Sequence, residues 1–238
     1  MFFYLDIYYL IIVAPFVLLA ILASLKVNMT FKRFSSMETM RGITGAEAAR
    51  MVLRANNVVG VGIAKCSGKL TDHFDPRDNT IYLSEDVYDG RSAAACGVAA
   101  HEAGHAVQFA EEYTPMRIRS ALVPVTNIGS SIGMWLIMIG IILCFLGEIF
   151  VYVAYAGILL FSLTAIFQLV TLPVEFNASR RAMVALSESG SFSEDEQRGA
   201  RKVLSAAAMT YVAALAVSLA QILRLLLIVA QASGRRRD

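Results

Sequence analysis

The chain has 238 residues, 57% of them hydrophobic and 17% charged, and its mean hydropathy of +0.59 is that of a membrane protein. A formal charge of +2 is too small to imply a nucleic-acid partner. Cys66, Cys96 and Cys144 have no paired spacing, which argues against a disulfide framework or a Cys-x-x-Cys metal site.

An apolar run from Ile7 to Leu25 is long enough to cross a bilayer, which takes about 20 helical residues. The start MFFYLD lacks a basic region, and Lys26, Lys32 and Arg33 stand where a cleavage site would need small residues, so the run reads as a retained anchor. Thr44 and Glu47 form a capping-box pattern, and Ala46, Ala49, Val52 and Leu53 predict an amphipathic helix to about Asn56. VVGVGIAK and TIYLS read as the two strands of a β-hairpin with a long connection, CSGKLTDHFDPRDN. Ser84 or Ser92 then caps a helix that runs through AAHEAGHAVQ to about Tyr113, where Thr114 and Pro115 end it. Two more apolar runs flank Gly147 and Glu148 as a membrane hairpin, and a last extends from about Val203 to Ala232 with Arg224 inside it. These runs are too long and too free of charge for the competing reading, a soluble helical bundle.

The expected organisation is an N-terminal transmembrane anchor at 1–27 and an α+β domain at 28–121. A transmembrane hairpin at 122–174, a polar helix at 175–202, and a C-terminal transmembrane helix with a basic tail at 203–238 follow. The fold class is thus an α-helical multi-pass membrane protein with a small α+β domain carrying an HExxH helix.

His101 and His105 are four residues apart, so on a helix their imidazoles share a face and can hold one ion. Glu102, one position round the helix, falls beside that ion, where it can take a proton from a metal-activated water and later pass it to the leaving amine. The chain has only three histidines, and burying two of them with a glutamate and no shared partner would be costly. A catalytic site needs a third ligand, either His73 in TDHFDP or Glu175 in LPVEFNASRRA. The membrane hairpin favours Glu175, because it returns the chain to the side on which His105 left it; the bland reading is a solvated glutamate at a helix start. Two imidazoles and a carboxylate make zinc, one ion per chain, the default.

Asn177, Arg180, Arg181 and His73 are candidate oxyanion or substrate-binding donors, although paired arginines also serve as membrane anchors. Asp72, His73 and Asp75 cluster beside Pro76 as a turn or as support for a site. Strand residues Thr80 to Leu83 are a candidate edge for an extended substrate, or simply a strand that closes the domain.

Together, LTDHFDPRDNTIYLSEDVYDGRS, AAHEAGHAVQ and TLPVEFNASRRA resemble the neutral zinc metallopeptidases of the YugP-like membrane family, from about the Thr44 helix to the fourth membrane segment. That family is distantly similar to HtpX-type and CAAX prenyl proteases. The resemblance implies a zincin-like metallopeptidase domain, zinc on His101, His105 and Glu175, Glu102 as general base, and peptide hydrolysis as the reaction. In those relatives alanine and aspartate follow the glutamate ligand three and four positions on, where this chain has Ala178 and Ser179. If the aspartate orients a histidine ligand, the role passes to another group, with Asp72 or Asp75 as candidates.

The expected function is a membrane-anchored zinc endopeptidase acting on unfolded or membrane-associated polypeptides, with the lipid bilayer as its other partner. A site-2-type intramembrane protease and a non-catalytic zinc-stabilised scaffold are the alternatives. Basic residues near the membrane boundaries, among them Lys26, Arg33, Arg117, Arg180 and Lys202, place the motif side in the cytoplasm, while the tail GRRRD points the other way.

Overall fold

A computed structural model describes residues 6–234, so most of MFFYLD and the basic tail beyond Gly234 lie outside the described residues. A π-helical turn, Tyr9–Val13, leads into α1 (Ala14–Ser35). Then come α2 (Gly45–Ala55), β1 (Gly62–Cys66), β2 (His73–Asp75), β3 (Thr80–Ser84), the short α3 (Glu85–Tyr88) and α4 (Ala93–Ala110). The rest is helical: α5 (Thr114–Leu143), α6 (Glu148–Phe161), α7 (Leu163–Glu188) and α8 (Glu194–Gly234). Among the described residues, four helices are long and apolar enough to cross a membrane: Tyr9–Ser35, Thr114–Leu146, Glu148–Glu188 and Glu194–Gly234.

The chain divides into two compact units. The first comprises the chain up to Leu22, Ile118–Thr171 and the segment from Tyr211 onward. Here α5 and α6 meet backbone to backbone through small residues: a Cβ on Gly133 would fall 2.7 Å from the Gly157 carbonyl oxygen, and one on Gly140 would fall 2.6 Å from the Ala154 nitrogen. Ile137, Ile158, Leu225 and Val229 fill the core beside them. The buried Arg224 donates from Nε to an Asp6 carboxylate oxygen at 3.0 Å, and its guanidinium lies 5.3 Å from the Tyr9 ring.

The second unit, Ala23–Arg117 with Leu172–Thr210, carries the sheet and the motif helix. The capping box forms as the residues predict: the Glu47 amide donates to Thr44 Oγ1 at 3.2 Å, and the Thr44 amide donates to Glu47 Oε2 at 2.8 Å. Ala48, Ala49, Val52 and Leu53 of α2 then enter a core shared with Ala99, Ala103 and Val107 of α4. Ser92, not Ser84, caps α4, its Oγ accepting from the Ala95 amide at 3.2 Å.

The sheet differs from the expected hairpin. Its strand order is β1-β3-β2, with β1 parallel to β3 and β2 antiparallel to it. The hairpin partner of TIYLS is therefore HFD, inside the segment read as a connection. Asp75 turns the chain there by accepting from the Arg77 amide at 2.9 Å, and Asn79 adopts the left-handed φ of 54° that closes the turn. This also corrects the edge assigned to Thr80 to Leu83: β3 is the central strand, and its Ile81 and Leu83 are fully buried.

Candidate metal centre

The close approach of α4 and α7 builds the site. A Cβ on Gly104 would lie 2.5 Å from the Ala178 carbonyl oxygen, so only glycine lets the helices come this near. With α7 against α4, Glu175 stands over the two motif histidines. The ligand atoms of His101, His105 and Glu175 all lie within 4.8 Å of one another, the one such cluster among the described residues. His101 Nε2 is 3.2 Å from Glu175 Oε2 and His105 Nε2 is 3.6 Å from the same oxygen. Two ligands about 2.1 Å from a tetrahedral zinc stand about 3.4 Å apart, so these separations and this donor set fit the ion.

The far side of each imidazole is held as well. His105 Nδ1 lies 3.0 Å from Gln108 Oε1, and the bond has a definite direction. Gln108 is fully buried, and its Nε2 donates to the Val174 carbonyl at 2.8 Å and to Asn177 Oδ1 at 2.9 Å. Both amide protons are thereby used, so Oε1 can only accept, and His105 carries its proton on Nδ1. His101 Nδ1 is 3.0 Å from Ser179 Oγ. Both Nε2 atoms therefore face Glu175, as metal ligation requires.

Glu102 is 9% exposed and makes no hydrogen bond among the described residues. Burial pushes its carboxyl up, the Glu175 and Asp72 carboxylates add to that, and the two histidines act against it. For His105 burial disfavours the charged ring, but the Glu175 carboxylate outweighs it and holds the imidazole above its ordinary value.

The structure does not bring the other candidates to this cluster. His73 is exposed, with Nδ1 2.7 Å from the Thr71 carbonyl oxygen and its ring stacked on Tyr82 at 5.2 Å. Asp72 accepts from the Ser84 amide at 2.7 Å and Asp75 pairs with Arg77 at 2.6 Å, so neither orients a histidine. Ser179 does so itself, from the very position where the relatives have aspartate. Asn177 Oδ1 accepts from Gln108 and, at 2.7 Å, from Arg181 Nε, while Arg181 also pairs with Glu111 at 2.7 Å. These two residues brace His105 through Gln108, and Arg180 is exposed, away from the cluster's hydrogen bonds. The sequence signal for Gln108 is slight, a polar residue three positions after His105 on the same helical face.

The fold and the cluster define a chain with four candidate membrane helices and a largely buried His-His-Glu site suited to a divalent metal. It belongs to the family described as "Putative neutral zinc metallopeptidase", which matches residues 9–230. Over 206 residues it is 45% identical to the "Putative membrane protease YugP" of Bacillus subtilis (strain 168), an alignment covering 87% of this chain and 89% of that one. No solved structure matches.

Proposed function

We propose that the chain is a membrane-anchored zinc endopeptidase that hydrolyses peptide bonds of unfolded or membrane-associated polypeptides. One observation carries this reading: a buried carboxyl free of hydrogen-bond partners among the described residues, Glu102, directly follows a histidine of the His-His-Glu cluster. A metal scaffold would use the three ligands and have no need of Glu102.

Zinc held by His101, His105 and Glu175 would supply Lewis-acid polarisation of the scissile carbonyl and of the attacking water. Glu102 accepts the proton of that water at its carboxylate and then delivers it to the leaving nitrogen. Its upward-shifted carboxyl suits both transfers, because the proton is held long enough to be handed on. Gln108 and Ser179 keep the imidazoles turned with Nε2 inward.

An extended polypeptide can add to the free edge of β2, which has β3 as its one strand neighbour and packs near α4, with Phe74 5.7 Å from Phe109. The substrate edge moves accordingly from Thr80–Leu83 to His73–Asp75. The motif helix α4 is not among the four helices suited to crossing a membrane, which sets this reading apart from a site-2-type protease. We place the site on the cytoplasmic side, where Lys26, Lys32, Arg33, Arg198 and Lys202 suit the positive-inside tendency. On intact cells a membrane-impermeant thiol reagent would then leave Cys66 unlabelled.

The test is cleavage of an unfolded model protein by the zinc-loaded chain in detergent, beside Glu102→Gln with its zinc content measured. The wild type cuts, and the variant binds zinc without cutting. Zinc binding by both with cleavage by neither points to the scaffold, and absence of zinc from both removes the basis of the reading.

A further inference from the structure

A cavity lies beside Ser179, the residue whose hydroxyl contacts His101 Nδ1. It is formed by α7 and α8 within the second unit and measures about 660 Å³, inside the range of about 300–1,000 Å³ typical of ligand sites. Phe176, Met183, Leu204 and Met209 give it a mostly apolar wall, and Arg180 and Arg201 are its two basic lining residues. Neither arginine has an ion-pair or hydrogen-bond partner among the described residues, unlike the neighbouring Arg181 on Glu111. Glu188 at the end of α7 is the lining's single carboxylate, so two arginines against one glutamate leave it net positive.

The lining mixes apolar and charged residues along its helices, with Arg180 one turn beyond Phe176. Phe176 and Met209, each 49% exposed, lie on the parts of α7 and α8 nearer in sequence to the long apolar runs, whereas Arg201 and Glu188 lie farther from them. From Phe176 to Glu188 the helix rises about 18 Å. Such an elongated, amphipathic recess on helices that continue into candidate membrane spans fits an amphiphile with an anionic head.

The membership of the lining decides between a lipid and the polypeptide being cut. Ser179 lines this cavity while lying 3.0 Å from His101 Nδ1, whereas His101 Nε2 faces Glu175. His101, Glu102, His105 and Glu175 are not among the residues that line the cavity, so a scissile bond held at the metal cluster lies outside it.

We propose that the α7–α8 cavity binds an anionic phospholipid, its phosphate on Arg180 and Arg201 and an acyl chain along Phe176, Met183, Leu204 and Met209. The bound lipid adjoins Ser179, so its presence bears on the hydrogen bond that orients His101. This site stands apart from the peptidase reading, and its test does not need activity.

The purified full chain is exchanged into phosphatidylcholine nanodiscs containing a few per cent phosphatidylglycerol, and co-purifying lipid is read by native mass spectrometry. The wild type should retain phosphatidylglycerol over phosphatidylcholine by at least about tenfold, and an Arg180→Glu/Arg201→Glu variant of unchanged zinc content should lose that preference. Ala208→Trp, which fills the cavity and keeps both arginines, should lose it too; this variant carries the test if the double variant misfolds. Equal retention of the two lipids by wild type, or undiminished preference in the variants, overturns the proposal. Displacement of phosphatidylglycerol by inorganic phosphate alone, or by an acidic apolar peptide at similar concentration, overturns it in favour of a bare anion or a polypeptide.

Discussion

Gln108→Met tests the construction of the metal centre most directly, because it keeps the length of a fully buried side chain and removes only its polar atoms. Three hydrogen bonds disappear: from His105 Nδ1 at 3.0 Å, to the Val174 carbonyl at 2.8 Å and to Asn177 Oδ1 at 2.9 Å. Asn177 Oδ1 keeps Arg181 as a donor, so the damage concentrates on His105. Its Nδ1 proton is left without an acceptor in a buried site, a cost of about 1–3 kcal/mol. Alternatively the ring moves its proton to Nε2, the atom 3.6 Å from Glu175 that has to be free for a metal.

Either route weakens zinc by about 10- to 100-fold, or roughly 1.4–2.7 kcal/mol. Competition with a colorimetric chelator measures the affinity, and nitrogen-resolved imidazole spectra of the metal-free protein report the tautomer. Gln108→Glu, which keeps an acceptor and loses both donors, should fall between wild type and Gln108→Met. Zinc binding within about twofold of wild type in Gln108→Met, with the Nδ1 proton retained, would refute the reasoning.

Gly104→Ala drives a methyl to 2.5 Å from the Ala178 carbonyl oxygen, which should cost about 1–3 kcal/mol in stability and lower zinc content, both measurable by thermal unfolding with and without the metal. Arg224→Leu leaves Asp6 without its ion-pair partner and should destabilise the detergent-solubilised protein by about 3 kcal/mol, the lower end of the range because the Asp6 side chain is 26% exposed and keeps the Tyr9 amide as a donor; exchanging the two charges should restore part of it. Burial pushes the Cys96 thiol up to about 12, so iodoacetamide at pH 8 should spare it until the chain unfolds. The Arg77 guanidinium holds the Asp75 carboxyl down at about 2, against an ordinary 3.8. A depressed carboxylate stabilises the fold above its unfolded value, so this contribution fades as pH falls from 3.8 to about 2, and Arg77→Ala should return the Asp75 titration, followed by carboxyl NMR, towards 3.8.

Features written in short-range pattern were legible in the sequence. The Thr44 and Glu47 pair predicts its capping box, and the four-residue spacing of His101 and His105 places both on one face of α4. Glu175 could be matched to them because the membrane hairpin limits where the chain can return. Strand pairing was harder: HFD is three residues long and shows no alternation that would mark it as a strand, while the parallel pairing of β1 and β3 depends on contacts far apart in sequence. Gln108 reads as an ordinary polar helix residue until α7 supplies Val174 and Asn177 as partners for its amide protons.

Ser179 shows how one unreadable distance changes a residue's meaning. By residue type it looks like the loss of an aspartate, since a hydroxyl reaches less far than a carboxylate and needs a close helix approach to meet His101 Nδ1. The backbones stand that close here: Gly104 lets α4 settle onto the Ala178 carbonyl, one residue before Ser179, and the hydroxyl lies 3.0 Å from His101 Nδ1. Gly104 and Ser179 are thus one structural choice made on two helices, a short orienting side chain made sufficient by a close crossing. The same crossing brings Glu175 to both histidines, so the glycine inside the motif shapes the ligand set and its support together.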